Sequence, residues 1–186
     1  MTSRKAPLKA IADMLTFTRL IIGISIIVVA LTQGHEGLSL ALLLLLLGWG
    51  TDTLDGQLAR RVPDRQNTWI GDNDIVVDVL LSFAIMFFFT LGGYIPVLLA
   101  VFCLIYLIAV IFVFHGWTLY AIFVGISYGS VLIVSLLHSP KFFLVFLLYI
   151  AIMLITTWSH CWENIMSFFT GFKSIEARQS QKKNSP

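Results

Sequence analysis

Acidic residues cluster between residues 51 and 78, which hold six of the ten carboxylates of a chain that is 58% apolar. Asp52 and Asp55 are three residues apart, and Asp74 and Asp78 are four apart, so each pair shares one face of a helix. A carboxylate in hydrocarbon is costly and therefore faces a polar interior with partners. Four together need a counter-charge, and oxygen ligands favour a hard cation such as Mg²⁺, Mn²⁺ or Ca²⁺. The pattern predicts a metal site, with room for two ions.

Three arginines follow the first carboxylate pair: Arg60, Arg61 and Arg65. Arg60 lies five residues after Asp55, about 7–8 Å further along a helix. A guanidinium beside a carboxylate-bound metal is typical of sites that hold a phosphate or diphosphate. Gly56 and Ala59 have the smallest side chains nearby, so a bulky ligand can approach the backbone. These residues indicate phosphoryl transfer on a lipid substrate.

The elements that position these residues are predicted to be membrane-spanning helices, each needing about 20 apolar residues. Six segments meet this requirement: 16–33, 38–58, 72–91, 96–114, 118–137 and 142–162. Turn-forming residues separate them, and the short loops make neighbouring helices antiparallel. Residues 1–15 form a juxtamembrane segment, in which Ala6 to Leu15 alternates polar and apolar residues and favours an interfacial amphipathic helix. Residues 173–186 form a polar tail, and we expect one domain over 1–186.

The distribution of basic residues predicts the orientation. With six spans, all but one of the twelve lysines and arginines fall on the same side of the membrane, and Lys141 is the exception. The positive-inside rule assigns that side to the cytoplasm. The fold class is therefore an all-α integral membrane protein with both termini cytoplasmic and the acidic cluster at the cytoplasmic interface. Cys103 and Cys161 have no disulfide or zinc spacing and are expected to be reduced.

The acidic segment resembles the signature of the CDP-alcohol phosphatidyltransferases. Residues 52–60 read DTLDGQLAR and residues 74–78 read DIVVD, against the family pattern D-x-x-D-G-x-x-A-R followed by G-x-x-x-D-x-x-x-D. Residues 14–19, MLTFTR, also resemble the family's entry into its first span. One departure concerns the second glycine, which the pattern expects at Ile70 and which stands here as Gly71. The departure leaves the metal chemistry plausible and puts the acceptor alcohol in doubt.

The resemblance implies a role for each residue of the motif. Asp52, Asp55 and Asp74 would bind Mg²⁺ or Mn²⁺, and Asp78 would touch a metal and act as general base on the acceptor hydroxyl. That hydroxyl would attack the phosphorus joined to the lipid of a CDP-linked lipid such as CDP-diacylglycerol, and CMP would leave. The nucleotide and diphosphate would bind to three residues: Gly56, Ala59 and Arg60. Four others are candidates for contact with the acceptor: Arg61, Arg65, Thr16 and Arg19.

The resemblance also implies partners and a location. The partners would be the CDP-linked lipid, a polar alcohol and membrane lipids, with no nucleic acid. The location would be a bacterial-type cell membrane or an organellar equivalent. Family members are often homodimers, and small residues at Gly125, Ser127 and Gly129 permit a close helix contact. Glycerol 3-phosphate, serine, inositol phosphate and a second lipid all remain open as acceptors, with a phosphate-bearing alcohol favoured by Arg61 and Arg65.

Other interpretations of the carboxylates stay open. A cation or proton transporter would use them directly, but transporters place such sites near the midplane, whereas this cluster is predicted at one interface beside three arginines. A membrane prenyltransferase also uses D-x-x-D pairs with Mg²⁺ and diphosphate. Those enzymes are longer chains, however, and D-G-x-x-A-R is not their pattern. A catalytically silent relative is motivated by the shifted Gly71. A purely structural polar cluster is disfavoured by the cost of four membrane carboxylates.

Overall fold

The computed structural model describes the backbone of residues 5–60, 74–109 and 117–155, and the side chains of 14–54, 76–109 and 120–155. Within these ranges the chain is helical apart from short turns and contains no strand. The helices are α1 (Lys5–Gln33), α2 (Leu38–Arg60), α3 (Asp74–Leu91), α4 (Val97–Ala109), α5 (Trp117–His138) and α6 (Pro140–Ile155).

Within the described residues, the helices lie where the hydropathy pattern predicts them, with one difference at the start. Residues 110–114 of the fourth predicted span and 156–162 of the sixth lie outside the described residues. α1 runs unbroken from Lys5 through 29 residues, so residues 5–15 of the juxtamembrane segment and the first predicted span are one helix. Pro7 does not interrupt it, because a proline in the first turn has no intrahelical hydrogen bond to lose. No glycine or second proline follows until Gly23, which leaves nothing to separate an interfacial helix from the span.

Two described stretches are long and apolar enough to cross a membrane: Met14–Leu54 and Tyr120–His138. Three further helices are apolar but shorter: Val76–Leu91, Val97–Ala109 and Pro140–Ile155. The whole of α3 has 18 residues and measures about 27 Å, close to the ~30 Å of a bilayer's hydrocarbon core. Six spanning helices and cytoplasmic termini remain predictions.

The stretch Met14–Leu54 folds back on itself as an α1–α2 hairpin. A 3₁₀ turn, Gly34–Gly37, joins the two helices. Gly34 has a φ of 53°, a left-handed conformation that side chains with a Cβ rarely adopt. A Cβ built on Gly37 would lie 2.5 Å from Val29 Cγ1. The absence of a side chain at this position therefore allows α2 to turn back against α1.

Contacts along the helices establish the register of the first three. Phe88 lies beside Gly37, and a Cβ built on Gly48 would lie 3.0 Å from Leu81 Cδ2. α3 therefore runs antiparallel to α2, as the short loops predict. α1 packs extensively against both α2 and α3, whereas α2 and α3 touch each other much less. α1 is thus the central helix of this group, which sequence reasoning did not anticipate.

The core and the outer surface have different side chains. Fully buried residues come from the faces where α1, α2 and α3 meet: Ile26, Leu42, Leu45, Leu81, Ile85 and Phe88. On α4, by contrast, Leu98, Phe102 and Ile105 are exposed. Such apolar side chains on an outer surface fit a hydrocarbon solvent. The chain divides into two compact units, Met1–Phe142 and Phe143–Pro186, and the features described below lie in the first.

Three residues with aromatic rings contact one another at one end of the first unit. Tyr94, in the turn between α3 and α4, donates a hydrogen bond from its hydroxyl to the His35 carbonyl over 2.8 Å. Its ring stacks on the His35 imidazole at a centroid distance of 4.6 Å, and the His138 ring meets it edge-on at 4.9 Å. His35 Nδ1 in turn lies 3.0 Å from the Gly92 carbonyl oxygen. We call His35, Tyr94 and His138 the turn cluster.

Candidate active site

The structure brings together one aspartate from each predicted pair. Asp52 lies near the end of α2 and Asp78 in the second turn of α3, and the antiparallel register sets them side by side. Nη1 of Arg19, on α1, donates to Asp52 Oδ1 over 2.7 Å and to Asp78 Oδ1 over 2.6 Å. A single guanidinium nitrogen therefore joins three helices at one point. Charge-assisted bonds of this length are the stronger kind of protein hydrogen bond.

Burial is unequal across this ion-paired group. The Arg19 side chain is 0% exposed, whereas the side chains of Asp52 and Asp78 are 51% and 28% exposed. The guanidinium therefore contacts the carboxylates from the core, and their exposed surfaces face away from it. A ligand can reach the carboxylates without passing the arginine. This asymmetry distinguishes the group from a closed structural ion pair.

Thr16 and Arg19, two of the predicted acceptor contacts, both point inward. Thr16 is buried, and its hydroxyl oxygen lies 3.4 Å from Arg19 Nη2, which donates to it. Thr18, by contrast, is exposed and donates to the Met14 carbonyl of its own helix. Contact of Thr16 or Arg19 with an acceptor stays a prediction. The structure shows that Thr16 contacts Arg19 and that Arg19 contacts Asp52 and Asp78.

A second group of polar side chains lies one helical turn further into the bundle than Asp52 and Asp78. Trp49 precedes Asp52 by one turn on α2, and Ser82 follows Asp78 by one turn on α3; both are buried. The Trp49 ring packs on Tyr128 of α5 at a centroid distance of 4.6 Å and an interplanar angle of 59°. The Tyr128 phenol also lies near Ser82 and near the carboxylates of Asp52 and Asp78. We call Trp49, Ser82 and Tyr128 the second layer.

Sequence reasoning missed the second layer, although a signal for part of it was available. Trp49 and Asp52 are three residues apart, and Ser82 and Asp78 are four apart, so helical spacing places each beside its aspartate. Tyr128 carries no comparable signal, because it comes from a separate helix whose packing the sequence does not specify. The partners of Arg19 were also missed, since they lie 33 and 59 residues away.

The remaining predicted site residues are only partly described. Backbone positions are known for five of them: Asp55, Gly56, Ala59, Arg60 and Asp74. The register of α2 and α3 places the backbones of Asp55 and Asp74 one turn beyond Asp52 and Asp78, at the same end of the bundle. Their side chains lie outside the described set. Four positions lie wholly outside the described residues: Arg61, Arg65, Ile70 and Gly71.

The donor set is suited to a hard divalent cation. Asp52 and Asp78 supply carboxylate oxygens, the ligands that Mg²⁺ and Mn²⁺ prefer, and both are accessible. Among the described side chains, no three acidic, histidine or cysteine residues form a metal-binding group. Asp55 and Asp74 lie outside this statement, because their side chains are not described. The chemistry of the two described carboxylates therefore fits the predicted metal.

The three small residues of α5 that are predicted to form a dimer contact differ in their exposure. Ser127 is fully buried within the chain, so it does not lie on a surface that another copy could contact. Gly125 is exposed, and Gly129 is partly exposed. A Cβ built on either glycine would meet no atom within 4 Å. The homodimer stays a prediction, with Gly125 and Gly129 as its accessible small residues.

Comparison with known proteins gives one match. A family model described as CDP-alcohol phosphatidyltransferase matches residues 9–170, a range that contains Arg19, Asp52, Asp78 and Tyr128. Comparisons with curated proteins and with solved structures return no match. The resemblance first seen in the acidic motif thus extends over most of the chain.

Proposed function

Because the chain belongs to the CDP-alcohol phosphatidyltransferase family, we propose that it is a membrane enzyme that transfers a substituted phosphate group from a CDP-linked lipid, such as CDP-diacylglycerol, to the hydroxyl of a polar alcohol and releases CMP. The observation that carries this proposal is the meeting of Asp52 and Asp78 at one point. The two ends of the acidic motif, which 25 intervening residues separate in the sequence, thereby become one accessible acidic site.

We propose that Asp52, Asp55 and Asp74 hold Mg²⁺ or Mn²⁺ and that Asp78 also touches a metal ion, with two ions as the expected number. Bound ions would neutralise charge on the diphosphate and align the attacking and leaving oxygens. Gly56 and Ala59 leave space for the nucleotide on the last turns of α2. Arg60 is proposed to pair with diphosphate oxygens, a role that suits a planar guanidinium.

Asp78 is the proposed general base. It takes the proton from the acceptor hydroxyl, whose oxygen forms a bond with the phosphorus joined to the lipid. The bond between that phosphorus and the bridging diphosphate oxygen breaks, and CMP leaves with the electron pair. Since Asp78 is less exposed than Asp52, its carboxylate lies on the inner side of the site.

The acceptor is proposed to be a phosphate-bearing alcohol. Arg61 and Arg65 follow the diphosphate-binding residues directly in the sequence and can attract an anionic acceptor. The positive-inside distribution predicts that this site lies at the cytoplasmic interface, where soluble alcohols and lipid headgroups meet. A homodimer through the transmembrane helices is part of the same proposal.

Arg19 weighs against the transporter alternative. A cation transported across the membrane would have to leave Asp52 and Asp78 on their core side, where Nη1 of Arg19 is bonded to both. A buried guanidinium keeps its positive charge at all working pH values, so it opposes a conducting cation permanently. The diphosphate of a CDP-linked lipid is anionic, so it can balance the charge of the bound metal ions, and it does not have to pass Arg19.

The proposal is tested by measuring CMP release from CDP-diacylglycerol by the purified protein with Mg²⁺ or Mn²⁺, across a panel of alcohols. Asp78→Asn is the inactivated variant. Glu36→Gln is the matched control, because Glu36 is an exposed acid in the turn at the other end of α2. We expect metal-dependent release with one alcohol, lost in Asp78→Asn and kept in Glu36→Gln. No CMP release with any alcohol and no binding of the CDP-linked lipid would refute the transferase assignment.

A further inference from the structure

We propose that Arg19 is a positioning residue for the metal ligands: it holds Asp52 and Asp78 from the core side, so that the two carboxylates are arranged for a cation before the cation arrives. This inference rests on the proposed function, because it assigns Arg19 a task within the same site. Arg19 would contact neither substrate nor metal.

The first step of the argument is the bonding of one nitrogen to both carboxylates. Nη1 of a guanidinium carries two hydrogens in a fixed plane, and here one is directed to Asp52 Oδ1 and the other to Asp78 Oδ1. The two oxygens are therefore set in distance and direction by a rigid group. Lysine, a point charge on a flexible stem, does not impose this geometry.

The second step is the mutual dependence of Arg19 and the two aspartates. A fully buried arginine cannot shed its proton, and an unpaired buried charge is strongly unfavourable. Arg19 is 0% exposed, so its position is stable only while carboxylates accept its hydrogen bonds. Conversely, two carboxylates this close repel each other unless a cation separates them. Each group therefore fixes the other in the absence of metal.

The third step concerns the capacity that remains for a cation. Each carboxylate has two oxygens and about four lone-pair positions, so a bond to Arg19 does not exhaust its ability to coordinate. Two negative charges and one positive charge leave a net negative site. The exposed fractions of Asp52 and Asp78 lie away from the guanidinium, where a divalent ion can approach. Loss of a group that hydrogen-bonds to a metal ligand typically weakens metal binding by about 10- to 100-fold.

The same observations argue against Arg19 as the residue that binds an anionic acceptor. An acceptor phosphate would have to replace both Asp52 and Asp78 at a guanidinium that has no exposed surface. It would also bring a negative charge between two carboxylates, which costs free energy. The predicted acceptor role is therefore replaced by the positioning role in this inference.

The test measures Mn²⁺ binding without substrates, from the electron paramagnetic resonance signal of free Mn²⁺. Three variants are compared with wild type: Arg19→Met, Arg19→Lys and Lys141→Met. Lys141 is exposed and belongs to no part of the site, so Lys141→Met is the matched loss of one positive charge. CMP release at varied acceptor and metal concentrations is measured in parallel, and circular dichroism monitors helical structure.

We expect the Mn²⁺ dissociation constant to rise about 10- to 100-fold in Arg19→Met, the range typical for lost partners of metal ligands. Arg19→Lys should show a smaller rise, and Lys141→Met should match wild type. The KM for the acceptor should stay within about twofold in Arg19→Lys, because Arg19 is proposed not to touch it.

Mn²⁺ binding by Arg19→Met that equals or exceeds wild-type binding overturns the inference, as does a rise confined to the acceptor KM. If Arg19→Met loses its helical signal, Arg19→Lys decides: weaker Mn²⁺ binding with an intact fold supports the inference, and unchanged binding refutes it. Wild-type protein that binds no Mn²⁺ and releases no CMP refutes the proposed function itself. Normal wild-type behaviour with an unaffected Arg19→Met refutes only the role of Arg19.

Discussion

Arg19 Nη1 lies 2.6 Å from Asp78 Oδ1, although 59 residues separate the two in the chain. The contact makes α1 part of a site whose acidic residues come from α2 and α3. It also compensates the burial of a guanidinium that the packing of α1 against those helices brings into the core. Arg19, Asp52 and Asp78 therefore link the packing of the three helices to the electrostatics of the site.

Replacement of Asp78 by asparagine should stop the reaction while leaving the substrates bound. Asn keeps the shape of the side chain but cannot accept the acceptor's proton, and loss of a general base costs about 10²- to 10⁴-fold in rate. We expect kcat for CMP release to fall in this range, with a smaller change in the KM for the CDP-linked lipid. A fall in lipid binding with unchanged kcat would assign Asp78 to binding instead.

Replacement of Asp52 by asparagine should act through the metal. Asp52 is the more exposed of the two carboxylates, and an amide oxygen is a weaker ligand for a hard cation than a carboxylate. We expect the Mn²⁺ concentration for half-maximal CMP release to rise, with partial recovery of activity at high Mn²⁺. The same titration on Asp78→Asn should show little recovery. Equal recovery in both variants would remove the division of roles between the two residues.

Removal of the metal should abolish activity without unfolding the helices. Arg19 supplies a counter-charge to Asp52 and Asp78 in the metal-free protein, so the carboxylates are not left as an unpaired cluster. With excess EDTA we expect CMP release to stop and circular dichroism to keep its helical signal, with recovery when Mg²⁺ is restored. Collapse of the helical signal on chelation would show that metal, rather than Arg19, stabilises the fold.

Much of this arrangement was predictable from sequence, because it depends on spacing within a helix. The helix positions follow from apolar runs, and the sharing of a face by Asp52 and Asp55 follows from the helical period. The antiparallel register of α2 and α3 follows from the short connection between them. The predictions that failed or were missing concern contacts between helices that are distant in the chain.

Arg19 and Tyr128 illustrate why those contacts were not predictable. The family pattern marks Arg19, but nothing local shows whether it faces solvent, lipid or core. Its 0% exposure results from the packing of α1 against two helices at once. Tyr128 joins the site because α5 packs on α3, a pairing that neither hydropathy nor loop length specifies.

The second layer should affect the rate of the reaction through the Tyr128 hydroxyl. Tyr128→Phe keeps the ring that packs on Trp49 and removes the polar group beside Ser82 and the two aspartates. A hydrogen-bonding group of this kind contributes about 1 kcal/mol, which corresponds to about fivefold in rate if the transition state feels it. We therefore expect kcat to fall about fivefold. Tyr120→Phe, on the same helix and outside the site, is the control, and an equal fall in that variant would exclude a specific role for Tyr128.

The turn cluster should affect stability and not catalysis. Leu38 and Asp52 are fourteen residues apart, so this end of α2 lies about 21 Å from the acidic site. Tyr94→Phe removes the hydrogen bond to the His35 carbonyl, a loss of about 1 kcal/mol in the free energy of unfolding. CMP release by the folded variant should equal that of wild type.

The difference in Tm between wild type and Tyr94→Phe should depend on pH in the alkaline range. Burial raises the pKa of Tyr94 above its ordinary value of 10.0, because desolvation disfavours the phenolate. A raised folded-state pKa means that this contribution to stability is fully present below pH 10 and is lost as the pH rises through the folded pKa. The wild-type Tm should therefore exceed that of Tyr94→Phe at pH 8, and the difference should shrink above pH 10. His35 and His138 are present in both proteins and cancel in the comparison, so a difference in Tm that stays constant up to pH 11.5 would contradict this account.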